Sequence, residues 1–226
     1  MDVFIIYGLT IIAVLITLGA QAYISSTYKK YSKVKNEKGY TGKEVARQIL
    51  DKNGLTNVKV EKVSGYLSDH YDPKAKVVSL SSDVYDDASV ASIAIASHEC
   101  GHAIQDKNGY TFLRIRKTMV PFVNLCSYAG YIAIILGSIL GALNIIWLGI
   151  LAEVVILVFQ LVTLPVEFDA SRRGLKESKE LGFYSNKEYS GGKTVLRAAA
   201  LTYVASLATV IIEVLRLVLM YGRRSD

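Results

Sequence analysis

The chain has 226 residues, of which 51% are hydrophobic, and a formal net charge of +6. Its two cysteines, Cys100 and Cys126, are too few for a disulfide framework or for a structural zinc site with four thiolate ligands. No basic segment is interleaved with aromatic residues, so the positive charge does not indicate binding to nucleic acid.

Long uncharged runs are the first feature along the chain. Residues 3–24 contain no charged side chain, and neither do residues 118–152. A membrane span needs about 20 mostly apolar residues to cross about 30 Å of hydrocarbon. We therefore predict a transmembrane anchor helix in residues 1–24 and a transmembrane hairpin of two spans in residues 121–164, which turns near residues 141–144.

A fourth apolar stretch, residues 198–220, is less regular because it contains Glu213 and Arg216. It could cross the membrane, and this is the interpretation we favour. Alternatively, it packs as a partly buried helix in which these two side chains form an ion pair three residues apart.

The distribution of basic residues predicts the orientation in the membrane. Of the 26 Lys and Arg residues, 16 lie in residues 25–117, 7 lie in residues 172–197, and none lies in residues 118–171. Cytoplasmic segments of membrane proteins carry an excess of Lys and Arg. Both basic regions are therefore predicted to be cytoplasmic.

The first basic region has the pattern of a small α+β unit. Thr41 and Glu44 form a capping box ahead of a short helix. Residues 58–61 and 76–81 are predicted to be strands, and the Asp-rich segment between them, residues 67–73, is predicted to be a turn. The second of these strands could offer an edge to which a peptide substrate adds as a further strand.

The next predicted helix, capped by Asp86 or Asp87, contains the sequence H-E-C-G-H. Residues four apart lie on the same face of a helix, so the imidazoles of His98 and His102 can bind one Zn²⁺. The intervening Glu99 can then act as a general base toward water at that metal. A surface helix that carries two histidines by chance is the structural alternative.

A catalytic zinc site needs one more protein ligand, and no histidine follows His102. We favour Glu167, because it lies at the cytoplasmic end of a predicted span, where Pro165 could begin a new helix. Asp169 is the alternative ligand, or an acceptor that orients a ligating imidazole, and His70 is a weaker candidate. Alternatively, both acidic side chains have no role toward a metal and are stabilised by the positive end of the dipole of that helix.

The predicted organisation has five segments. They are the anchor helix (1–24), the cytoplasmic α+β unit with the H-E-x-x-H helix (25–120), the transmembrane hairpin (121–164), a cytoplasmic helical segment with the third ligand (165–197), and the fourth apolar helix with the C-terminus (198–226). The predicted fold class is thus mainly α, with three to four transmembrane helices and a small zincin-like α+β unit.

Four motifs, in this order, resemble those of the YugP-type membrane zinc metallopeptidases of bacteria. They are L-S-D-H-Y-D-P (67–73), V-S-L-S (78–81), H-E-C-G-H-A-I-Q (98–105) and P-V-E-F-D-A-S-R-R (165–173). The resemblance covers nearly the whole chain. It implies a multi-pass protein of the bacterial plasma membrane, with His98 and His102 as zinc ligands and Glu99 as the catalytic base.

A more distant similarity connects the chain to HtpX and the CAAX prenyl proteases, in which a Glu of an E-x-x-x-D motif completes the zinc site. This chain departs from that motif, because Ser171 stands four residues after Glu167 and the acidic residue is Asp169. The departure puts the role of Asp169 in doubt more than that of Glu167.

The sequence therefore predicts a membrane-embedded, gluzincin-like zinc metalloendopeptidase that binds one catalytic Zn²⁺ and hydrolyses peptide bonds at the cytoplasmic face. His70, Tyr71 and Arg172 are candidates for an additional oxyanion donor. The expected partners are the lipid bilayer and a peptide or membrane-protein substrate. A zinc-binding scaffold without activity is the first alternative, but it would not need Glu99. A transporter is the second, and it would place the H-E-x-x-H motif outside the bilayer.

Overall fold

The computed structural model describes residues 3–222, so residues 1, 2 and 223–226, at the ends of the first and last predicted segments, lie outside the described residues. Within that range the chain forms α-helices and one three-stranded sheet. In chain order the elements are α1 (Val3–Tyr31), α2 (Gly42–Lys52), β1 (Lys59–Val63), β2 (His70–Asp72), β3 (Val77–Ser81), α3 (Ser82–Tyr85), α4 (Val90–Lys107), α5 (Thr111–Leu140), α6 (Leu143–Glu180) and α7 (Asn186–Tyr221).

Four helices, α1, α5, α6 and α7, are long and apolar enough to cross a membrane. Many of their large apolar side chains are exposed, among them Phe4, Tyr128 and Leu140. Large exposed apolar surfaces are unfavourable in water and suit contact with lipid. The prediction of a mainly α-helical, multi-pass membrane protein with a small α+β unit is therefore confirmed.

The chain divides into two compact units. The first consists of the described parts of Met1–Gln21, Arg114–Leu164 and Leu201–Asp226. Within this unit α5 and α6 approach each other closely at Gly130, where an added Cβ would lie 2.6 Å from the Cβ of Ala152. Small residues at a helix crossing let two backbones approach closely in a membrane.

Two features of the apolar helices in the first unit bear on the sequence analysis. The hairpin turns where predicted, because α5 ends at Leu140, α6 begins at Leu143, and Gly141 has a φ of +68°. A positive φ at this position favours glycine. In α7 the Arg216 Nε donates to Glu213 at 2.9 Å, and this is the ion pair considered under the alternative of a partly buried helix.

The second unit comprises Ala22–Leu113 and Pro165–Ala200. Its sheet has the order β1–β3–β2, in which β3 is parallel to β1 and antiparallel to β2. The expectation that residues 76–81 form an edge for substrate is therefore wrong, since β3 is hydrogen-bonded on both sides. Every residue of β3 is also buried. The edge strand β2 lies inside the segment that the sequence predicted to be only a turn.

The helix that carries the H-E-x-x-H motif begins differently from the prediction. The side chain of Ser89 caps α4 by accepting a hydrogen bond from the backbone N–H three residues on. Neither Asp86 nor Asp87 is the cap, because their carboxylates pair with Lys62 and Lys35 respectively. The capping box of α2, by contrast, is present as predicted.

Pro165 does not begin a helix, which corrects a second expectation. It lies inside α6, which continues without a break to Glu180. A proline inside a helix removes one intrahelical hydrogen bond, and α6 tolerates this loss. Glu167 therefore lies within a helix, and an interaction with a helix N-terminus does not explain its charge.

The hydrophobic core of the second unit holds α4 in place. Val45 and Ile49 of α2 pack in one buried cluster with Ile93 and Cys100 of α4 and with Phe183. All five side chains are completely inaccessible to solvent. Close packing of buried side chains restricts how far a helix can shift. The opposite face of α4 is thereby directed toward α6.

Candidate active site

Three side chains of the second unit converge within the described residues to form a possible metal site. They are His98 and His102 of α4 and Glu167 of α6, and one nitrogen or oxygen atom from each lies within 4.8 Å of the other two. The Glu167 Oε2 is 3.3 Å from the His98 Nε2 and 3.5 Å from the His102 Nε2. The imidazole rings stand nearly perpendicular, with an interplanar angle of 81°.

This geometry and this set of donors suit zinc. Bonds of about 2.0–2.1 Å in a tetrahedral arrangement place neighbouring ligand atoms roughly 3.4 Å apart. The two distances from the Glu167 Oε2 are close to that value. Two neutral imidazoles and one carboxylate are also a known protein ligand set for catalytic zinc, which leaves the fourth position for water or substrate. The three residues therefore fit a catalytic zinc ion.

Two glycines explain how α4 and α6 come close enough to bring these side chains together. A Cβ added to Gly101, inside the H-E-x-x-H motif, would lie 2.2 Å from the Ala170 carbonyl oxygen. One added to Gly174 would lie 2.3 Å from the Ser97 carbonyl oxygen. Both neighbours are backbone atoms, so neither can move aside independently of its helix. The crossing of α4 and α6 at this spacing requires glycine at both positions.

The outward nitrogen of each imidazole also has a partner. The His98 Nδ1 lies 3.0 Å from the Ser171 hydroxyl, and the His102 Nδ1 lies 3.1 Å from the Gln105 Oε1. Partners of this kind help to orient a ligating ring. Ser171 thus occupies the place of the acid that the E-x-x-x-D motif would supply.

The carboxyl group of Glu99 is buried next to the three clustered side chains. Burial raises the pKa of Glu99 to about 7, and the negative charges of Glu167 and Asp69 act in the same direction. The charge of His98 and a hydrogen bond from the Tyr71 backbone N–H oppose this rise. Glu99 therefore has the pKa of a group that can accept and release a proton near neutrality.

Asp169 lies beside the cluster of donors and is not a member of it among the described residues. Its carboxylate accepts a hydrogen bond from the Gln105 Nε2 at 3.0 Å and forms ion pairs with Arg172 and Arg173. It is thus connected to the His102 ring through Gln105. The described contacts of Asp169 are thus with Gln105 and the two arginines, and its role toward a metal stays a prediction.

The three candidates for an oxyanion donor lie in different surroundings. The Tyr71 hydroxyl donates to Asp106 at 2.8 Å, so its proton is already engaged. Arg172 pairs with Asp169, and 75% of its side chain is exposed. The His70 ring is exposed, and its Nδ1 lies 2.8 Å from the Ser68 carbonyl oxygen. None of the three belongs to the described donor cluster.

Four residues important for the geometry were missed by sequence reasoning: Gly101, Gln105, Ser171 and Gly174. A helical wheel could have indicated Gln105, which follows His102 by three residues and so lies on the same face. Ser171 was noticed only as a departure from a motif. No local pattern identifies the two glycines, because their requirement arises from the backbone of another helix.

Comparison with known proteins gives this geometry a family context. The profile of a family described as "Putative neutral zinc metallopeptidase" matches residues 6–222. The chain belongs to this family. It is also similar to "Putative membrane protease YugP" of Bacillus subtilis (strain 168), with 46% identity over 218 residues. The alignment covers 96% of this chain and 97% of that relative. No solved structure matches the chain. The family resemblance stated from the sequence motifs is thereby confirmed.

Proposed function

We propose that this zinc metallopeptidase family member is an endopeptidase that cleaves peptide or membrane-protein substrates at the cytoplasmic face of the bacterial plasma membrane. The observation that carries the proposal is the convergence of His98, His102 and Glu167 beside the buried carboxyl of Glu99. Family membership supports the class of reaction, since the family is described as a metallopeptidase and the Bacillus subtilis relative as a protease.

His98, His102 and Glu167 would hold one zinc ion. When bound, zinc supplies Lewis acidity toward a peptide carbonyl and makes water a stronger nucleophile at neutral pH. The carboxylate of Glu167, whose side chain is 3% exposed, would compensate part of the positive charge of such an ion in a place that water hardly reaches. The two imidazoles are 14% and 12% exposed, so each has a small part of its surface in contact with solvent.

Glu99 is the proposed general base. Its carboxylate would take a proton from the attacking water and later give that proton to the amine that leaves. Because it directly follows His98 on α4, its position relative to the donors is set by one turn of a rigid, buried helix. A zinc-binding scaffold without activity would need the donors but not this carboxyl.

Exchange of Glu99 for glutamine tests the proposed reaction. The amide keeps the size of the side chain but cannot accept a proton, so Glu99→Gln should retain zinc and cleave an unfolded reporter protein about 10²–10⁴-fold more slowly. Glu61→Gln, at an exposed position of β1, is the matched control and should behave as wild type. Zinc content and cleavage rate are measured on the purified full chain in detergent. Undiminished cleavage by Glu99→Gln would overturn the mechanism. A wild-type chain that binds zinc and cleaves no substrate would favour the scaffold.

The cytoplasmic orientation rests on the distribution of charge. Of the 26 basic residues, 23 lie in two regions: 16 in residues 25–117 and 7 in residues 172–197. The free energy of insertion favours cytoplasmic retention of such segments. The second unit, with all three donors, would then face the cytoplasm.

Single cysteines can report this orientation in intact cells. In a Cys126→Ala background the native Cys100 is buried and unreactive. Asn57→Cys, exposed in the basic region, should be protected from a membrane-impermeant maleimide, whereas Asn144→Cys, exposed in the first turn of α6 next to the hairpin turn, should react. Permeabilised cells, in which both should react, serve as the control. If only Asn57→Cys reacts in intact cells, the orientation is the opposite of the one proposed.

A further inference from the structure

We infer that Gln105 is a positioning residue for the candidate zinc site. Together with Asp169, it holds His102 in the tautomer and ring orientation in which the Nε2 lone pair is directed at the cluster of donors. This inference rests on the proposed function, since it assigns Gln105 a role toward bound zinc.

The first step concerns which way the Gln105 amide faces. Its Nε2 lies 2.8 Å from the Val166 carbonyl oxygen and 3.0 Å from the Asp169 Oδ2. A carbonyl and a carboxylate can only accept, so the amide nitrogen, with its two protons, must be the atom that faces both. The opposite orientation would bring an amide oxygen against two acceptors in a fully buried place.

The second step follows for the His102 ring. With its nitrogen committed to Val166 and Asp169, Gln105 presents its Oε1 to the His102 Nδ1 at 3.1 Å. An amide oxygen only accepts, so the Nδ1 must carry the proton. In a neutral imidazole the other nitrogen then has the lone pair, and it is the Nε2 that lies near Glu167. Gln105, which is not one of the three donors, therefore determines that His102 has the tautomer that can bind a metal through its Nε2.

The third step concerns what holds Asp169, the acceptor of the Gln105 amide, in place. The carboxylate of Asp169 forms ion pairs with Arg172 one turn later in α6 and with Arg173. These two ion pairs hold the Asp169 carboxylate in the position where it meets the Gln105 amide. The Val166 carbonyl belongs to the same turn of α6 as Glu167. Gln105 thus links the imidazole of His102 to the helix that supplies the third donor.

His98 provides a contrast within the same site. Its Nδ1 faces the Ser171 hydroxyl, which can either donate or accept. Ser171 therefore permits either tautomer of His98, whereas Gln105 permits only one of His102. We consequently expect the loss of Gln105 to affect zinc binding through His102 alone.

Zinc affinity of the full chain, measured by competition with a chelator, tests the inference. Gln105→Met has nearly the same shape without the hydrogen bonds, and it should weaken zinc binding about 10–100-fold, as the loss of an outer partner of a ligand does elsewhere. Gln105→Glu keeps an oxygen that can accept from the His102 Nδ1 in either protonation state, so it should bind zinc more tightly than Gln105→Met. Affinity of Gln105→Glu no better than that of Gln105→Met would count against the inference.

Ser178→Ala is the matched structural control. Ser178 is fully buried in α6 and bonds to Ser97 of α4 at 2.6 Å, but it contacts neither imidazole. It should lose thermal stability without losing zinc affinity. Equal loss of affinity in Ser178→Ala and Gln105→Met would show a general structural effect and overturn the inference.

The metal-free wild-type chain gives a test that needs no variant at position 105 to fold. In ¹⁵N-histidine-labelled protein, the His102 signal, assigned by its absence in His102→Asn, should show a protonated Nδ1. A protonated Nε2 with an unprotonated Nδ1 would overturn the inference. If wild type binds no zinc, the proposed function fails; if wild type and Gln105→Met bind zinc equally, this inference alone fails.

Discussion

Zinc affinity should fall by more than about 100-fold when Glu167 is replaced by glutamine. The loss of a partner that only orients a ligand already costs about 10–100-fold, and Glu167 would be a ligand itself. Its amide replacement has the same size but no negative charge to offset a dication in a site where its side chain is 3% exposed. The measurement is zinc competition on the full chain, with the unfolding midpoint recorded in parallel.

Glu177→Gln is the control for this prediction. Glu177 lies on the same helix, its side chain is 13% exposed, and its carboxylate is 2.9 Å from the Lys52 ammonium. It should lose some stability and no zinc affinity, since a single partly exposed ion pair contributes little. Wild-type affinity in Glu167→Gln would show that the third ligand is another residue.

The size of the loss in zinc affinity distinguishes Glu167 from Asp169, the alternative third ligand. Asp169→Asn removes a charge that acts on His102 only through Gln105, so its effect should stay within about 10–100-fold. If Asp169 were the third ligand, the order would be reversed, and Asp169→Asn would be the more damaging change. The two variants therefore decide between the alternatives that the sequence left open.

Periodicity and length made much of the fold predictable. The uncharged runs identify the apolar helices because a bilayer imposes a minimum length and excludes charge. The spacing of His98 and His102 identifies one face of a helix for equally local reasons. Glu167 was reached by a different argument, from its expected side of the membrane, and the structure places its carboxylate beside both imidazoles.

Features that depend on a distant partner escaped prediction. Pro165 has a strong local preference for a helix start, yet α6 continues through it, so tertiary context overrides the propensity. Strand β2 has only three residues, too few for an alternating pattern to emerge. Gln105 has its role because Val166 and Asp169 lie opposite it, 61 and 64 residues away. A helical wheel of α4 can place Gln105 on the face of His102, but it cannot identify these two partners on α6.

Substitution of Gly101 by alanine should abolish zinc binding although it leaves every proposed ligand in place. The new Cβ would lie 2.2 Å from the Ala170 carbonyl oxygen, so α4 and α6 must separate by roughly 1 Å to restore ordinary contact. Zinc sites tolerate deviations of only about 0.2 Å in their bond lengths. Glu167, carried by α6, would move out of reach of the imidazoles. Zinc content after equilibration with excess metal is the measurement.

Helix propensity alone predicts that Gly101→Ala stabilises the protein and keeps its zinc, which is the opposite of the result expected from the contact with Ala170. Alanine is favoured over glycine inside a helix by about 1 kcal/mol, so without the contact Gly101→Ala would stabilise the protein. Gly19→Ala in α1 is the control, because no atom lies within 4 Å of its added Cβ, and it should keep wild-type zinc content. Zinc content at the wild-type level in Gly101→Ala would refute the requirement for close helix packing.

Gly174→Ala separates helix spacing from the chemistry of the motif. Gly174 lies outside H-E-x-x-H and seven residues beyond Glu167, and its added Cβ would lie 2.3 Å from the Ser97 carbonyl oxygen. If the distance between α4 and α6 controls the site, this variant should also lose zinc. If only Gly101→Ala loses zinc, the cause lies within the motif itself. Loss in both variants, with Gly19→Ala unaffected, would mean that two glycine contacts, as much as the three ligands, determine whether the metal can bind.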